Sequence, residues 1–242
     1  MTDFHADFRV SASAATHIGP LHPQNEDAHA ILESAGLFVL SDGIGGLAEG
    51  AVASRAVVEL LVRTVKPGAV LDARVEQARD ALFRANAALF QAGTETARPM
   101  GATVVLAVLG EGCAVCLWAG DSRAYLAREN TLHQVTRDHA IFARVSQGTP
   151  ARSMVTRAIG PEETVDVDCA IVDLLPGDTL LLCSDGVFNA VTETRLGELI
   201  ATTSPASAEQ VVAEAVACGT RDDATAVVVR ICPEEEMHVA RG

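Results

Sequence analysis

Leu37-Phe38-Val39-Leu40-Ser41-Asp42-Gly43 and Leu180-Leu181-Leu182-Cys183-Ser184-Asp185-Gly186 are two copies of one pattern, an apolar run that ends in Ser-Asp-Gly. Each run has the length and composition of a buried strand. The glycine that follows frees the backbone to turn and leaves its carbonyl open to approach. Each copy therefore sets a carboxylate at the lip of a buried strand. Two further carboxylates have similar settings: Asp121 follows Cys116-Leu117-Trp118-Ala119-Gly120, and Asp222-Asp223 precede Ala226-Val227-Val228-Val229. Strand-edge aspartates with no neighbouring counter-charge call for a cation.

Outward from these runs the chain alternates between strand and helix character. Strands are predicted near 9–17, 27–33, 36–41, 101–109, 113–119, 122–127, 131–135, 164–173, 179–184 and 224–231. Many are joined by short turns, which dictates mostly antiparallel pairing. Helices are predicted near 48–66, 72–92, 192–202 and 206–218, the last starting after Pro205. An early and a late helix pair around these strands fit an α+β architecture, two antiparallel sheets packed face to face with helices outside. The expectation is one domain over 1–242. The stretch 137–163, with Gly148, Pro150, Gly160 and Pro161, reads as irregular, a flap over about 139–163.

Composition narrows the function. With 242 residues, 49% of them apolar, the chain can bury a full core. A net charge of -14 excludes a nucleic-acid binder, which needs excess Lys and Arg. No apolar stretch reaches the ~18 residues that span a bilayer, and Met1-Thr2-Asp3-Phe4-His5 lacks a signal-peptide pattern, so a cytoplasmic protein is expected. Cys113, Cys169, Cys183 and Cys232 lie in or beside apolar runs and read as small core residues. Cys113 and Cys116 form a lone C-x-x-C, but a strand turns them to opposite faces.

Carboxylates, carbonyls and water are hard oxygen donors that suit Mg²⁺ or Mn²⁺ rather than zinc. Two such ions about 3.5–4 Å apart clamp a phosphoryl group and hold a hydroxide for in-line attack. Hydrolysis of a phosphate ester is the natural reaction. Neither an Asp-x-Asp-x-Thr nor a Cys-x5-Arg motif offers another nucleophile.

Eight motifs follow in order: Asn25-Glu26-Asp27; Asp42-Gly43-Ile44-Gly45-Gly46; Gly101-Ala102-Thr103; Ala119-Gly120-Asp121-Ser122-Arg123-Ala124-Tyr125; Thr136-Arg137-Asp138-His139; Thr156-Arg157-Ala158-Ile159-Gly160; Ser184-Asp185-Gly186; and Arg221-Asp222-Asp223-Ala224-Thr225. In this the chain resembles the metal-dependent protein phosphatases of the 2C type, bacterial branch, over nearly its whole length. The resemblance implies a four-layer αββα sandwich. It also implies hydrolysis of phosphoserine and phosphothreonine in proteins by a hydroxide bridging two Mn²⁺ or Mg²⁺ ions.

Residue by residue, the resemblance makes Asp42 the bridge between both metals and Gly43 a carbonyl ligand of one. Asp185 and Asp222 would bind the other. Glu26 would contribute to the Gly43 metal directly or through water, Asp27 would hold metal-bound water, and Asp121 would help bind a third, weaker metal near the flap. The expected partners are phosphorylated proteins, a Ser/Thr kinase and its substrates, including a forkhead-associated-domain protein, by analogy with relatives in type VI secretion control. A monomer is expected.

Plainer readings exist for several of these residues. Asp42 and Asp185 alone would each pass as an Asp-Gly turn. Asp121 has Arg123 as a candidate partner, Asp138 reads as the cap of a following helix, and His139 reads as a local hydrogen-bonding residue. Arg157 either ties the flap by an ion pair or meets the substrate phosphate. The alternative of another class is a metal-binding pseudophosphatase, a regulatory module without turnover. Another substrate class is the small anti-sigma-antagonist proteins, whose phosphatases usually lack the complete motif set.

Three departures from the family pattern stand out. His22 occupies the position where the family usually has a phosphate-gripping Arg, Ile44 replaces a His of animal relatives, and Asp223 stands where Asn is usual. The extra carboxylate of Asp223 would either strengthen cation binding or raise its neighbour's pKa. His22 lacks the planar fork of Arg and grips an anion best when protonated. The KM for a phosphopeptide is therefore expected to rise with pH through ~6.5 and to lose that rise in His22→Arg; coincident pH profiles would make His22 a bystander.

Overall fold

A computed structural model describes residues 8–20, 23–44, 49–143, 152–201 and 207–233. In chain order the first elements are β1 (Phe8–His17), β2 (Asp27–Leu32), β3 (Leu37–Asp42), α1 (Gly50–Thr64) and α2 (Leu71–Thr96). The middle of the chain forms β4 (Val104–Gly110), β5 (Cys113–Ala119), β6 (Arg123–Arg128), β7 (Thr131–Gln134), β8 (Ala140–Ala143) and β9 (Arg152–Val155). There follow β10 (Asp168–Asp173), β11 (Thr179–Cys183), α3 (Asp185–Phe188), α4 (Glu193–Ile200), α5 (Ala208–Ala217) and β12 (Ala224–Pro233).

Two five-stranded sheets carry the fold, in the orders β1-β12-β11-β6-β7 and β10-β5-β4-β3-β2, and every recorded pairing is antiparallel. The two-residue period of the strands sorts the apolar runs into three cores. Leu37 and Val39 of β3 and Leu106 of β4 face Val57 and Leu61 of α1 and Leu82 of α2. Their sequence neighbours Phe38, Leu40 and Val105 point the other way, against Leu180, Leu182, Val227 and Val229 of the second sheet. The opposite face of that sheet, with Tyr125, Leu181 and Val228, is covered by Leu196 and Ile200 of α4 and by Val211 and Ala215 of α5. Strands sandwiched on both sides must be apolar at every position, which is why both quoted runs lack alternation. The result is the expected four-layer αββα sandwich.

Helix ends follow local chemistry. Thr192 accepts from the Arg195 amide to cap α4, and Ser207 accepts from the Gln210 amide to cap α5. Cys113 packs with the helix-side core and Cys116 with the inter-sheet core, as opposite strand faces require.

The structure departs from expectation at several points. β4 starts at Val104 rather than 101, because Ala102 leaves the ladder to bridge Gly43 on one side and Ile159 on the other. The stretch 137–163 is not wholly irregular: its flanks pair as β8 and β9, while 144–151 lies outside the described residues. Asp138 caps no helix, since β8 follows it and its carboxylate meets Arg123 instead. Cys169 is exposed rather than core, because β10 is an edge strand whose outer face, with Ile171 at 70% exposure, lies beyond the cover of α1 and α2. No helix among the described residues is long and apolar enough to cross a membrane.

Leu180 is fully buried between the sheets. Leu180→Ala is expected to lower unfolding free energy by roughly 3 kcal/mol, whereas Leu180→Met, which conserves volume, should cost less than ~1.5 kcal/mol, both read from denaturant midpoints.

Candidate functional site

The acidic residues gather where the strand ends of the two sheets meet. Asp27 opens β2 directly opposite Asp42, the last residue of β3. Asp42 is fixed through its backbone: its carbonyl accepts the Thr103 amide at 2.8 Å and its own amide donates to Thr103 Oγ1 at 3.2 Å. Ser41 Oγ donates to the Thr103 carbonyl at 2.6 Å, and Thr103 Oγ1 meets Ser122 Oγ at 2.7 Å, beside Asp121. The side chain of Asp42 thus projects from a backbone with little freedom.

The second sheet is tied to the first through Ser184. Its amide donates to the Thr225 carbonyl at 3.1 Å, and its hydroxyl accepts the Thr225 amide at 2.9 Å while donating to Asp27 Oδ2 at 2.8 Å. Asp185 begins α3 immediately after Ser184, and Asp222 precedes β12 on the neighbouring strand. Both serines of the repeated Ser-Asp-Gly pattern are therefore buried anchors for the aspartates that follow them. Sequence reading passed over them, although their repetition was the available signal.

Neither glycine of the repeat has a positive φ. What each requires is room. A Cβ on Gly43 would lie 2.4 Å from the Gly50 carbonyl carbon, and one on Gly186 would lie 2.1 Å from the Asp223 carbonyl oxygen. The Gly43 amide donates to the Glu26 carbonyl at 3.0 Å, and a Cβ on Gly50 would come within 2.9 Å of Glu26 Oε2. Glu26, Gly43 and the start of α1 thus form one closely packed corner.

The electrostatics are those of a crowd of like charges. Burial pushes the Asp42 carboxyl well above the usual range, and Asp27, Asp185, Asp121 and Asp222 push it further. Burial likewise raises Asp27, to about 8. Hydrogen bonds from Thr225 and Ser184 oppose that rise, while the charges of Asp223 and Asp185 add to it. Asp27 Oδ1 is buried and has no hydrogen-bond donor among the described residues. Among the described residues no three His, Cys, Asp or Glu side chains converge on one point. The carboxylates surround a common region rather than forming a preset cage.

Hard oxygen donors, mutual repulsion and an orphaned carboxylate oxygen fit a divalent cation of the Mg²⁺ or Mn²⁺ kind. Of the residues expected at the site, Asp27, Asp121, Asp185 and Asp222 lie within electrostatic reach of Asp42, Gly43 follows it in the chain, and the Glu26 carbonyl accepts the Gly43 amide. His22 lies outside the described residues. Asp223, for which the sequence left open a charge for the cation or one that raises a neighbouring carboxyl, accepts two backbone amides, from Gly19 at 2.8 Å and Glu26 at 2.7 Å.

Arg157 sits on the flap side. Its guanidinium pairs with Asp168 at 2.5 Å, so the ion-pair reading describes the conformation seen. It also lines a pocket of about 310 Å³ with Ile44, Glu162 and Asp166. His139 stacks on Trp118 and accepts the Gly120 amide at Nδ1, which leaves its Nε2 proton for Asp168 at 3.1 Å, the local role expected of it. Burial pushes Asp168 up, but hydrogen bonds from His139 and Arg157 outweigh it and hold the carboxyl low. Arg123 directs its fork at Asp138 and lies 3.8 Å over the Phe188 ring at the end of α3.

The chain and its fold have known counterparts. The family model described as Protein phosphatase 2C matches residues 21–218. A serine/threonine phosphatase stp from Listeria welshimeri is 31% identical over 245 residues, covering 93% of this chain and 95% of that protein. The solved structure of PppA, described as a key regulatory component of T6SS in Pseudomonas aeruginosa, superposes with a TM-score of 0.82 at 34% identity, over 92% of this chain and 97% of that one. The catalytic domain of the serine/threonine protein phosphatase PstP, solved with two manganese ions, has a TM-score of 0.77 at 26% identity, over 92% and 98% of the two chains.

Asp27 and Asp42 carry higher pKa values folded than unfolded, so the folded protein binds more protons. This contribution to stability is complete below the unfolded value near ~4 and is lost as pH rises through the folded value, about 8 for Asp27. Chelator-treated protein is expected to melt roughly 5 °C or more lower at pH 8 than at pH 5.5. Asp27→Asn should flatten that slope, and added Mn²⁺ should restore more stability at pH 8 than at pH 5.5, all measured by thermal melts.

Proposed function

The chain belongs to the protein phosphatase 2C family and is a metal-dependent serine/threonine protein phosphatase of the bacterial type; on that basis we propose that Glu26, Asp42, Gly43, Asp185 and Asp222 hold two Mn²⁺ or Mg²⁺ ions. The observation that carries this reading is the acidic crowd at the sheet seam, in which the charges acting most strongly on Asp42 are all carboxylates. Ions bound there would activate water for attack on phosphorus and neutralise the phosphoryl oxygens.

The chain's own residues divide the remaining work. Asp42, fixed by Thr103, is assigned the central position facing both ions, with the Gly43 carbonyl beside it and Glu26 against the start of α1. Asp185 and Asp222 approach from the second sheet. Asp27, held by Ser184, is assigned the task of orienting water rather than direct ligation. Asp121 is assigned to a third, weaker metal. A neutral Asp27 or Asp42 binds cations poorly, so activity should improve as pH rises and their protons leave.

The substrate phosphate would meet His22, and Arg157 would reach it only on leaving Asp168. The pocket shared by Ile44 and Arg157 would take residues flanking the phosphorylated side chain. The substrates are phosphorylated proteins. We assign them to the reach of a Ser/Thr kinase and its targets, including a forkhead-associated-domain protein, and treat the chain as one monomeric domain. A pseudophosphatase is not favoured, because the relatives are themselves named as phosphatases over almost the whole length of this chain.

Phosphate release from a phosphothreonine peptide is expected with Mn²⁺ and abolished by EDTA. Losing a residue behind a metal ligand already costs roughly 10–100-fold, so Asp42→Ala should cost at least that in kcat/KM. Undiminished turnover in either case would overturn the assignment.

A further inference from the structure

Asp223 is almost fully buried, and both of its carboxylate oxygens accept backbone amides that are distant in sequence. Oδ1 takes the Gly19 amide at 2.8 Å and Oδ2 takes the Glu26 amide at 2.7 Å. Gly19 packs so closely on the preceding residue that a Cβ there would lie 2.3 Å from the Asp222 carbonyl carbon. The Glu26 carbonyl in turn accepts the Gly43 amide at 3.0 Å. Asp223 therefore links its own segment, which carries Asp222, to Gly19, to Glu26 and, through Glu26, to the corner that carries Gly43. Hydrogen bonds from amides to a carboxylate are among the stronger kinds. Only a carboxylate accepts at both positions, because a carboxamide would accept one amide and turn its NH₂ toward the other.

We infer that Asp223 is a positioning residue whose two oxygens clamp the amides of Gly19 and Glu26, and through Glu26 set the Gly43 carbonyl in register with Asp222. The inference rests on the reading that Glu26, Gly43 and Asp222 are metal ligands. It assigns the negative charge of Asp223 to two N–H donors rather than to a cation.

The test is Mn²⁺ binding by calorimetry together with amide hydrogen exchange, on wild-type protein, Asp223→Asn, Asp223→Glu and Asp42→Ala, each checked for folding by thermal melting. In Asp223→Asn the Gly19 and Glu26 amides should exchange at least about tenfold faster and the Kd for Mn²⁺ should weaken by about tenfold or more. Asp223→Glu keeps the charge but displaces it by one methylene, and should bind Mn²⁺ as weakly as the Asn variant. Wild-type affinity in Asp223→Glu with weak binding in Asp223→Asn would make charge rather than geometry responsible and overturn the clamp. Unchanged Mn²⁺ binding in Asp223→Asn, with binding lost in Asp42→Ala, would overturn the clamp alone; unchanged binding in both would overturn the metal-centre assignment itself. Should neither Asp223 variant fold, exchange of the wild-type Gly19 and Glu26 amides at free-peptide rates would overturn the clamp, and strong protection of both would sustain it.

Discussion

A crowd of carboxylates sits around Asp42 at the seam of the two sheets. Asp27, Asp121, Asp185 and Asp222 all repel Asp42 where burial already penalises its charge. Repulsion of this kind scatters side chains unless the backbone beneath them is held. Here it is held by neutral hydrogen bonds: Thr103 on both backbone groups of Asp42, Ser184 between Asp27 and Thr225, and Ser41 on Thr103. The sandwich provides rigidity and the hydroxyls provide register, so that charges can be kept where they are unstable without a cation.

This division of labour explains the distribution of residue types. The cores are built almost wholly from Val, Leu, Ala and Ile, with Phe38, Tyr125 and Trp118 as the aromatic exceptions. Such residues pack in well-defined rotamers and present no polar atoms. Buried polar groups concentrate instead at the strand ends, in Ser41, Thr103, Ser122, Ser184, Thr225 and Asp223. Nearly all of these are hydrogen-bonded to the segment of another functional residue. Asp27 Oδ1, by contrast, is a buried acceptor with no donor among the described residues, and it lies in the acidic region itself. A stability cost tolerated there, and not in the cores, is the expected mark of a functional site.

On the flap side the logic is different. Arg157, Asp168, His139 and Trp118 form a compensated network in which each charge has a partner and the imidazole is oriented by the Gly120 amide. It borders the acidic centre through Gly120 and Ile44.

The strand and helix plan was legible in the residues alone, because burial on both faces leaves unbroken apolar runs and helix cover leaves three- and four-residue spacing. The placement of Asp42, Asp185, Asp121 and Asp222 at strand ends was legible too, since a carboxylate at the end of a buried strand contradicts its surroundings. Other features were decided only by the tertiary structure. That Gly43 and Gly186 serve close approach rather than a turn depends on Gly50, at the start of α1, and on Asp223, far away in sequence. Arg123 choosing Asp138, β8 pairing with β9, Cys169 falling on an uncovered edge, and Asp223 holding Gly19 and Glu26 are all partner choices. Local sequence sets what a residue can bond to, through its donors, acceptors and strand period. Which donor arrives is settled only when distant segments pack together.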